Sequence, residues 1–331
     1  MPKAHPADKT ELMPRLDSDP LVTAAWLYYQ ENYTQAEVAG VLGVSRPTVA
    51  GLLSRAREEG VVTVQLRPEL LRRLSGASEL RGRFGLHDAL VVPNPDGQTG
   101  EALTRSLGRA GALYLEGLLR PGDVLGTCWG LGMQALAEAL SPRPVAGLRV
   151  TQSLGGLLSS EALNPARIAW TIAEKLGARV VHLHVPQYVA SPESKALFLQ
   201  EPTVAAALDL ARQASLMVLG IGTVGPEATA VRAGVIAPHE MAALAAAGAV
   251  GDLSGRYYDA QGQPVETELT ARLVALTLDD LRAISPVIAV AGGPPKTAAV
   301  LGALRSGCLD VLITDEQTAA AVLAQDDAGA A

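Results

Sequence analysis

Between residues 88 and 314 the chain alternates short, almost wholly apolar runs with longer amphipathic ones, and no other feature constrains its fold as strongly. The apolar runs are ALVV (89–92), DVLGTCWG (123–130), LRVTQSLGG (148–156), RVVHLHV (179–185), SLMVLGIG (215–222), PVIAVAGG (286–293) and DVLIT (310–314). Helices are expected near 100–119, up to Leu140, over 165–176, within 192–213, and near 238–247, 267–283 and 295–306, with a hairpin around Tyr257–Pro264. A strand that is apolar on both faces must be covered on both, and only crossover helices on a parallel sheet do that. The sequence therefore predicts an α/β, doubly wound, Rossmann-like domain. Its last residues, AQDDAGAA, read as a frayed tail.

Residues 34–60, TQAEVAGVLGVSRPTVAGLLSRAREEG, follow a different rule. Thr34 and Glu37 form a capping box that starts a helix, whose buried face would be Val38, Val41 and Leu42. Gly43 ends it, since glycine enters the left-handed region without steric cost. Ser45 caps a second helix that tolerates Pro47 in its first turn and buries Val49, Leu52, Leu53 and Ala56. Two helices joined by a short glycine turn predict an all-α helix-turn-helix, winged-helix-like if VVTVQL (61–66) forms a strand. Thr34, Gln35, Ser45, Arg46, Thr48, Arg55 and Arg57 are the candidate DNA contacts. Leu21–Gln30 would pack beneath, with Trp26 and Tyr29 in the core.

The net charge of −7 over 331 residues argues against a protein that coats nucleic acid indiscriminately. Residues 1–75 carry 9 basic and 9 acidic side chains, so the acidity lies in the remainder. Two cysteines, Cys128 and Cys308, imply no disulfide framework. The polar N-terminus lacks a signal-peptide core and no run reaches membrane-spanning length, so a cytoplasmic protein is expected.

Ligands of such a sheet bind outside the carboxyl ends of its strands. Four of the predicted strands end in glycine turns: Gly126-Thr127-Cys128-Trp129-Gly130, Gln152 to Gly155-Gly156, Gly220-Ile221-Gly222-Thr223 and Ala291-Gly292-Gly293. Backbone N–H groups in such turns approach an anion closely, which points to a shared anionic, polyhydroxylated ligand. Lysine is rare here, 5 of 27 basic residues, yet Lys296 directly follows GGPP. It can reach a phosphate as a point charge or an open-chain sugar carbonyl as an amine. GIGTVG (220–225) matches a dinucleotide fingerprint but lies late in the sheet, and Glu240 falls inside a helix, so NAD is not expected. Cys128 lacks a histidine nearby in sequence and reads as a small filler beside the ligand. His182 and His184 would share one side of a strand, without the further ligands a metal site needs. Neither metal nor catalytic group is expected.

Together these motifs resemble the SorC family of sugar-responsive bacterial transcriptional regulators. The marks are TQAEVAGVLGVSRPTV, AREEGVV, LGTCWG, QSLGG, GIGTVG, LAAAGAVGDLSGRYYDAQGQPV, AVAGGPPK and LITDEQTA, spread over residues 21–323. The resemblance implies an effector domain similar to phosphosugar isomerases, a phosphorylated sugar as effector rather than a cofactor, and a dimer or tetramer on (pseudo)palindromic operator DNA. Carried onto this chain, Gly126, Thr127, Trp129 and Gly130 would face phosphate, beside Gln152, Gly155 and Gly156. Asp252, Lys296 and Asp315 would contact hydroxyl or phosphate groups, with Gly222 and Gly293 in their turns. The domains then read as an arm (1–19) expected to be disordered, a helix-turn-helix (20–66), a linker helix (67–87) and an effector-binding and oligomerisation domain (88–325). The alternative is a phosphosugar isomerase or deaminase carrying the helix pair; Asp252 lacks a second acid–base partner, so no enzyme is expected. The chain departs from the family pattern at Ala50-Gly51, where relatives place Ser-Arg.

Overall fold

A computed structural model describes residues 19–63, 76–94, 97–157 and 163–330. The chain forms two compact units, divided between Leu66 and Arg67.

The small unit is three helices. Asp19, placed by sequence in the arm, instead caps α1 (Pro20–Tyr29) by accepting the Leu21 N–H at 2.9 Å. The capping box of Thr34 and Glu37 starts α2 (Gln35–Leu42), and Gly43 ends it at φ +66°. Ser45 caps α3 (Arg46–Glu58). Ala24, Leu27, Val38, Val49 and Leu53 share one core. Val41 is not in it: only Val38 and Ala39 of α2 are buried, and Val41 is 42 % exposed. Trp26 is likewise surface rather than core, at 47 % exposure. An eight-residue helix against two neighbours buries a stripe narrower than the i, i+3, i+4 pattern suggests. Residues 61–63 form no strand, and the rest of the expected wing lies outside the described residues.

The large unit begins, among the described residues, with α4 (Ala77–Phe84). Ala77 and Leu80 are buried in its main core, so this part of the expected linker is built into the sheet domain. Seven strands form the parallel sheet: β1 (Asp88–Val92), β2 (Val124–Thr127), β3 (Arg149–Gln152), β4 (Arg179–Val181), β5 (Leu216–Thr223), β8 (Val287–Val290) and β9 (Val311–Asp315). The short strands β6 (Gly251–Leu253) and β7 (Arg256–Tyr258) form an antiparallel ribbon on the end of β5. The sheet order is β1-β9-β8-β5-β2-β3-β4. The covering helices include α5 (Gly100–Leu118), α6 (Leu131–Ala139), α7 (Pro165–Leu176), α8 (Pro192–Gln200), α9 (Pro202–Arg212), α10 (Thr229–Arg232) and α11 (Pro238–Ala246). Every residue of β2, β8 and β9 is buried, as the apolar runs require.

Three expectations fail for local reasons. The strand at 179–185 stops at Val181 because the next amide in register, that of Leu183, donates to the Gln152 side chain at 3.1 Å. His182 and His184 therefore leave the ladder, though their rings remain 5.6 Å apart. The helix expected near 267–283 is two short ones, α12 (Glu268–Ala271) and α13 (Leu278–Arg282), each capped by its own threonine. Between them Leu273 and Ala275 bridge to Tyr188 and Leu154. Finally, after the 3₁₀ turn Pro294–Lys296, α14 (Thr297–Arg305) and β9, the chain closes with α15 (Glu316–Ala330) rather than a frayed tail. Arg305 holds that helix through Asp326 at 2.7 Å, and Arg83 through Asp327. No helix among the described residues is long and apolar enough to cross a membrane.

Candidate functional site

The exposed side of α3 in the small unit carries Arg46, Pro47, Thr48, Ala50 and Gly51. Ser45 and Thr48 are paired through their hydroxyls at 2.7 Å, and Ser45 accepts the Thr48 N–H, so both serve first as caps. Thr34 is similarly engaged with Glu37. Arg46 reaches a shallow depression that it shares with Thr34 and Gln35 at the start of α2. A guanidinium beside a helix N-terminus suits a DNA phosphate. Arg55 forks onto Glu59 at 2.8 and 3.1 Å, while Arg57 is exposed near the helix end. An exposed, solvent-screened pair of this kind is too weak to keep Arg55 from a phosphate.

In the large unit the strand order fixes where a ligand can sit. From β2 the chain winds outward through β3 and β4, then returns to the other side of β2 with β5 and continues to β8 and β9. The helices after β2 and β5 thus diverge and leave a crevice at the strands' carboxyl ends. A cavity of about 120 Å³ occupies that place, lined by the ends of β2, β5 and β8.

One wall is the start of α6. Gly130, at φ +117°, turns the chain from β2 into the helix, and no side chain caps the free N–H groups there. Gly130, Leu131 and Gly132 line the cavity, so those donors and the positive helix end face its contents. Trp129 lines it as well and also packs against the cores on either side.

The opposite wall is the extension of β5. Gly222 pairs with Asp252 across the ladder to β6. A Cβ on Gly222 would lie 1.8 Å from Asp252 Oδ1, so only glycine lets the carboxylate fold over the strand. This pairing also explains why GIGTVG is no dinucleotide loop: its first four residues remain strand, and α10 starts only at Thr229. Asp252 Oδ2 accepts the Gly255 N–H at 2.8 Å. Burial raises its carboxyl to about 6, opposed by that N–H and by the charge of Lys296. Lys296 enters from the 3₁₀ turn after β8 and donates to the Ile221 carbonyl at 2.6 Å. Burial lowers its pKa, against the attraction of Asp252. Cys128 is buried in the wall, its sulfur accepting the Gly220 N–H at 3.4 Å. Burial pushes its thiol up to about 12, so it is no nucleophile at neutral pH.

Ser254 joins the site without a local motif of its own. It lines the cavity at the turn between β6 and β7, with φ +50°. Its one sequence signal is the Ser-Gly pair between residues 250–253 and 256–258, just ahead of the hairpin expected around Tyr257–Pro264. Thr223 of the third glycine turn also lines the cavity, as do Thr104 and Thr229, which no motif singled out.

Several expected contacts do not line this cavity and have partners within the fold. Gly126 is needed for packing, since a Cβ would lie 2.4 Å from Met217 Cε, and Thr127 is fully buried within β2. Gln152 Oε1 is engaged by Leu183 N–H and lies 3.2 Å from His182 Nδ1. Gly155 sits against the carbonyls of Val185 and Pro186, and Gly156 bridges to Pro186. Asp315 is fully buried and accepts from Gly293 N–H at 2.9 Å, from the Gln317 and Thr318 N–H groups and from the Thr318 hydroxyl. It and Gly293 shape the turn before Lys296 without lining the cavity. No group of three or more metal-ligating side chains occurs among the described residues.

Residues 69–324 match the family described as "Putative sugar-binding domain". The chain is 35% identical to the uncharacterised transcriptional regulator YjhU of Escherichia coli over 93% of its length and 95% of that protein. It is 34% identical to the erythritol catabolism regulatory protein EryD of Brucella abortus, covering 93% of this chain and 98% of that one. Among solved structures it is similar to the full-length sorbitol operon regulator SorC of Klebsiella pneumoniae, with a TM-score of 0.74 and 28% identity over 93% of this chain and 100% of that one. By the matching family model and by these full-length likenesses, the chain belongs to the SorC family of sugar-binding transcriptional regulators.

Proposed function

We propose that the large unit takes a phosphorylated sugar or polyol into the crevice between β2, β5 and β8, and that this sets how tightly α3 holds operator DNA. One observation carries the reading: a single cavity puts uncapped helix N–H groups and a buried lysine on the same ligand as a carboxylate. The first two suit phosphate; the last accepts from hydroxyl groups and would repel a second anion. An ester with phosphate at one end and hydroxyls at the other matches both. The relatives' names, sorbitol operon regulator and erythritol catabolism regulatory protein, agree with a polyhydroxylated ligand.

The ligand acts alone, without metal or cofactor, and a dimer or tetramer of the chain binds a (pseudo)palindromic operator in the cytoplasm. Control requires that the ligand bind one arrangement of the assembly better than another. Gel-shift titration of operator DNA at fixed salt, with and without sugar phosphates, tests this. A change of at least fivefold in operator affinity with one of them is expected; operator binding indifferent to all of them refutes it.

A further inference from the structure

Hydrogen-bond direction in the cavity wall identifies a specificity residue. Ser153 Oγ lies 3.2 Å from the Thr127 carbonyl oxygen, which can only accept, so the single Ser153 proton is directed there. Ser153 Oγ and Ser254 Oγ are 2.7 Å apart. Either hydroxyl could donate across that distance; with the Ser153 proton on the Thr127 carbonyl, the donor is Ser254. Ser254 has no proton left to give, and its oxygen shows the cavity lone pairs only. Cys128 Sγ is a second acceptor for that same Ser254 proton, its own proton pointing to the Trp129 carbonyl at 3.5 Å, so either way the Ser254 proton stays within the wall.

The backbone is a second, independent observation. Ser254 and Gly255 are the two residues linking β6 to β7, at φ +50° and +78°. A two-residue hairpin with both residues in the left-handed region favours Asn-Gly or Gly-Gly. Serine is a poorer choice for that conformation, and such strain collects at ligand sites. Here it brings a hydroxyl to the cavity two residues from Asp252, a second acceptor.

We infer that Ser254 is a directional acceptor that selects a ligand offering a hydroxyl proton at one defined carbon. This deepens the sugar-phosphate reading and rests on it. A phosphate dianion cannot satisfy an acceptor of this kind, so above the second phosphate pKa of about 6 the ligand's orientation is fixed, with phosphate toward α6 and hydroxyls toward the β6–β7 turn.

The test uses the full chain and calorimetric titration with ribose 5-phosphate, fructose 6-phosphate, erythritol 4-phosphate and sorbitol 6-phosphate. The tightest of these is then compared with its monodeoxy and monofluoro analogues on the natural protein, on Ser254→Gly and on Ser153→Ala. At one carbon, both analogues should bind the natural protein about tenfold more weakly than the parent. Ser254→Gly should weaken the parent by the same factor and leave those two analogues unchanged, with an unliganded Tm within a few degrees of the natural protein. Ser153→Ala frees the Ser254 proton, so the gap between hydroxyl and fluoro ligands should shrink. Parent binding to Ser254→Gly at natural affinity overturns the inference, as does a fluoro analogue that binds like the parent at every carbon. If no sugar phosphate binds the natural protein, the reading of the cavity fails and this inference with it; if they bind and both variants are indifferent, this inference alone fails.

Discussion

On the proposed reading, base recognition turns on Arg46, because the first turns of α3 present little else. Around it lie Pro47, Ala50 and Gly51, none of which can read a base edge by hydrogen bonding, while Ser45 and Thr48 are engaged with each other. Arg46→Ala is expected to weaken operator binding at least tenfold in a gel shift at fixed salt, and full affinity in that variant would overturn the assignment. In the large unit, Gly222→Ala would set a methyl 1.8 Å from Asp252 Oδ1 and displace the carboxylate. Ligand affinity should fall at least tenfold while the parallel sheet persists, readable by titration beside circular dichroism. The ionisation of Asp252 has its own signature. Its folded pKa of about 6 lies above the ordinary 3.8, so the folded state binds the proton more tightly than the unfolded chain. The resulting stabilisation is complete below the unfolded value and is lost as pH rises through about 6. Asp252→Asn should therefore flatten the pH dependence of Tm between about 4 and 6 and raise the unliganded Tm above it, while weakening ligand binding. An unchanged profile would mean that the carboxyl titrates normally.

At the scale of elements, Gly51 separates helix stability from recognition. It is exposed inside α3, and nothing lies within 4 Å of where its Cβ would stand. Gly51→Ala should stabilise the small unit by about 1 kcal/mol in denaturant titration without sharpening operator choice. Elements whose signal is local were legible in the sequence. The capping box at Thr34, the serine cap at Ser45 and the all-buried strands β8 and β9 stand where the residues place them. Elements decided by distant partners were not. Gln152 ends β4 by reaching across the sheet edge, and Arg305 orders a C-terminal stretch whose composition alone suggests fraying. The site divides the same way. Gly130, Gly222 and Lys296 announce themselves by residue type in a turn, Asp252 through the family resemblance, and all four meet in one cavity. Gly126 and Gly155 carry the same local signature, and Asp315 the family's, but all three are engaged by neighbours no motif reveals: Met217, the Val185–Pro186 backbone and the Gly293 turn. Ser254 is the converse, a residue of ordinary type made distinctive by its backbone angle and by Ser153.

In the whole molecule, the two units keep separate cores: the buried side chains of the small unit and those of the sheet domain form distinct clusters. A ligand of the crevice should therefore stabilise the two unequally. At 100 times its dissociation constant it adds about 2.7 kcal/mol to the domain that binds it. Scanning calorimetry of the full chain is expected to show two transitions, of which a sugar phosphate moves only the one belonging to residues 67–331. A single transition moved as a whole would show that the units unfold together. The separate cores also make heat act selectively. The helix pair rests on a handful of buried side chains such as Val38, Val49 and Leu53, and so small a core leaves little margin. On warming, operator occupancy should lapse while the crevice still captures its ligand. Such a cell would lose the transcriptional answer to the sugar before it loses the receptor for it.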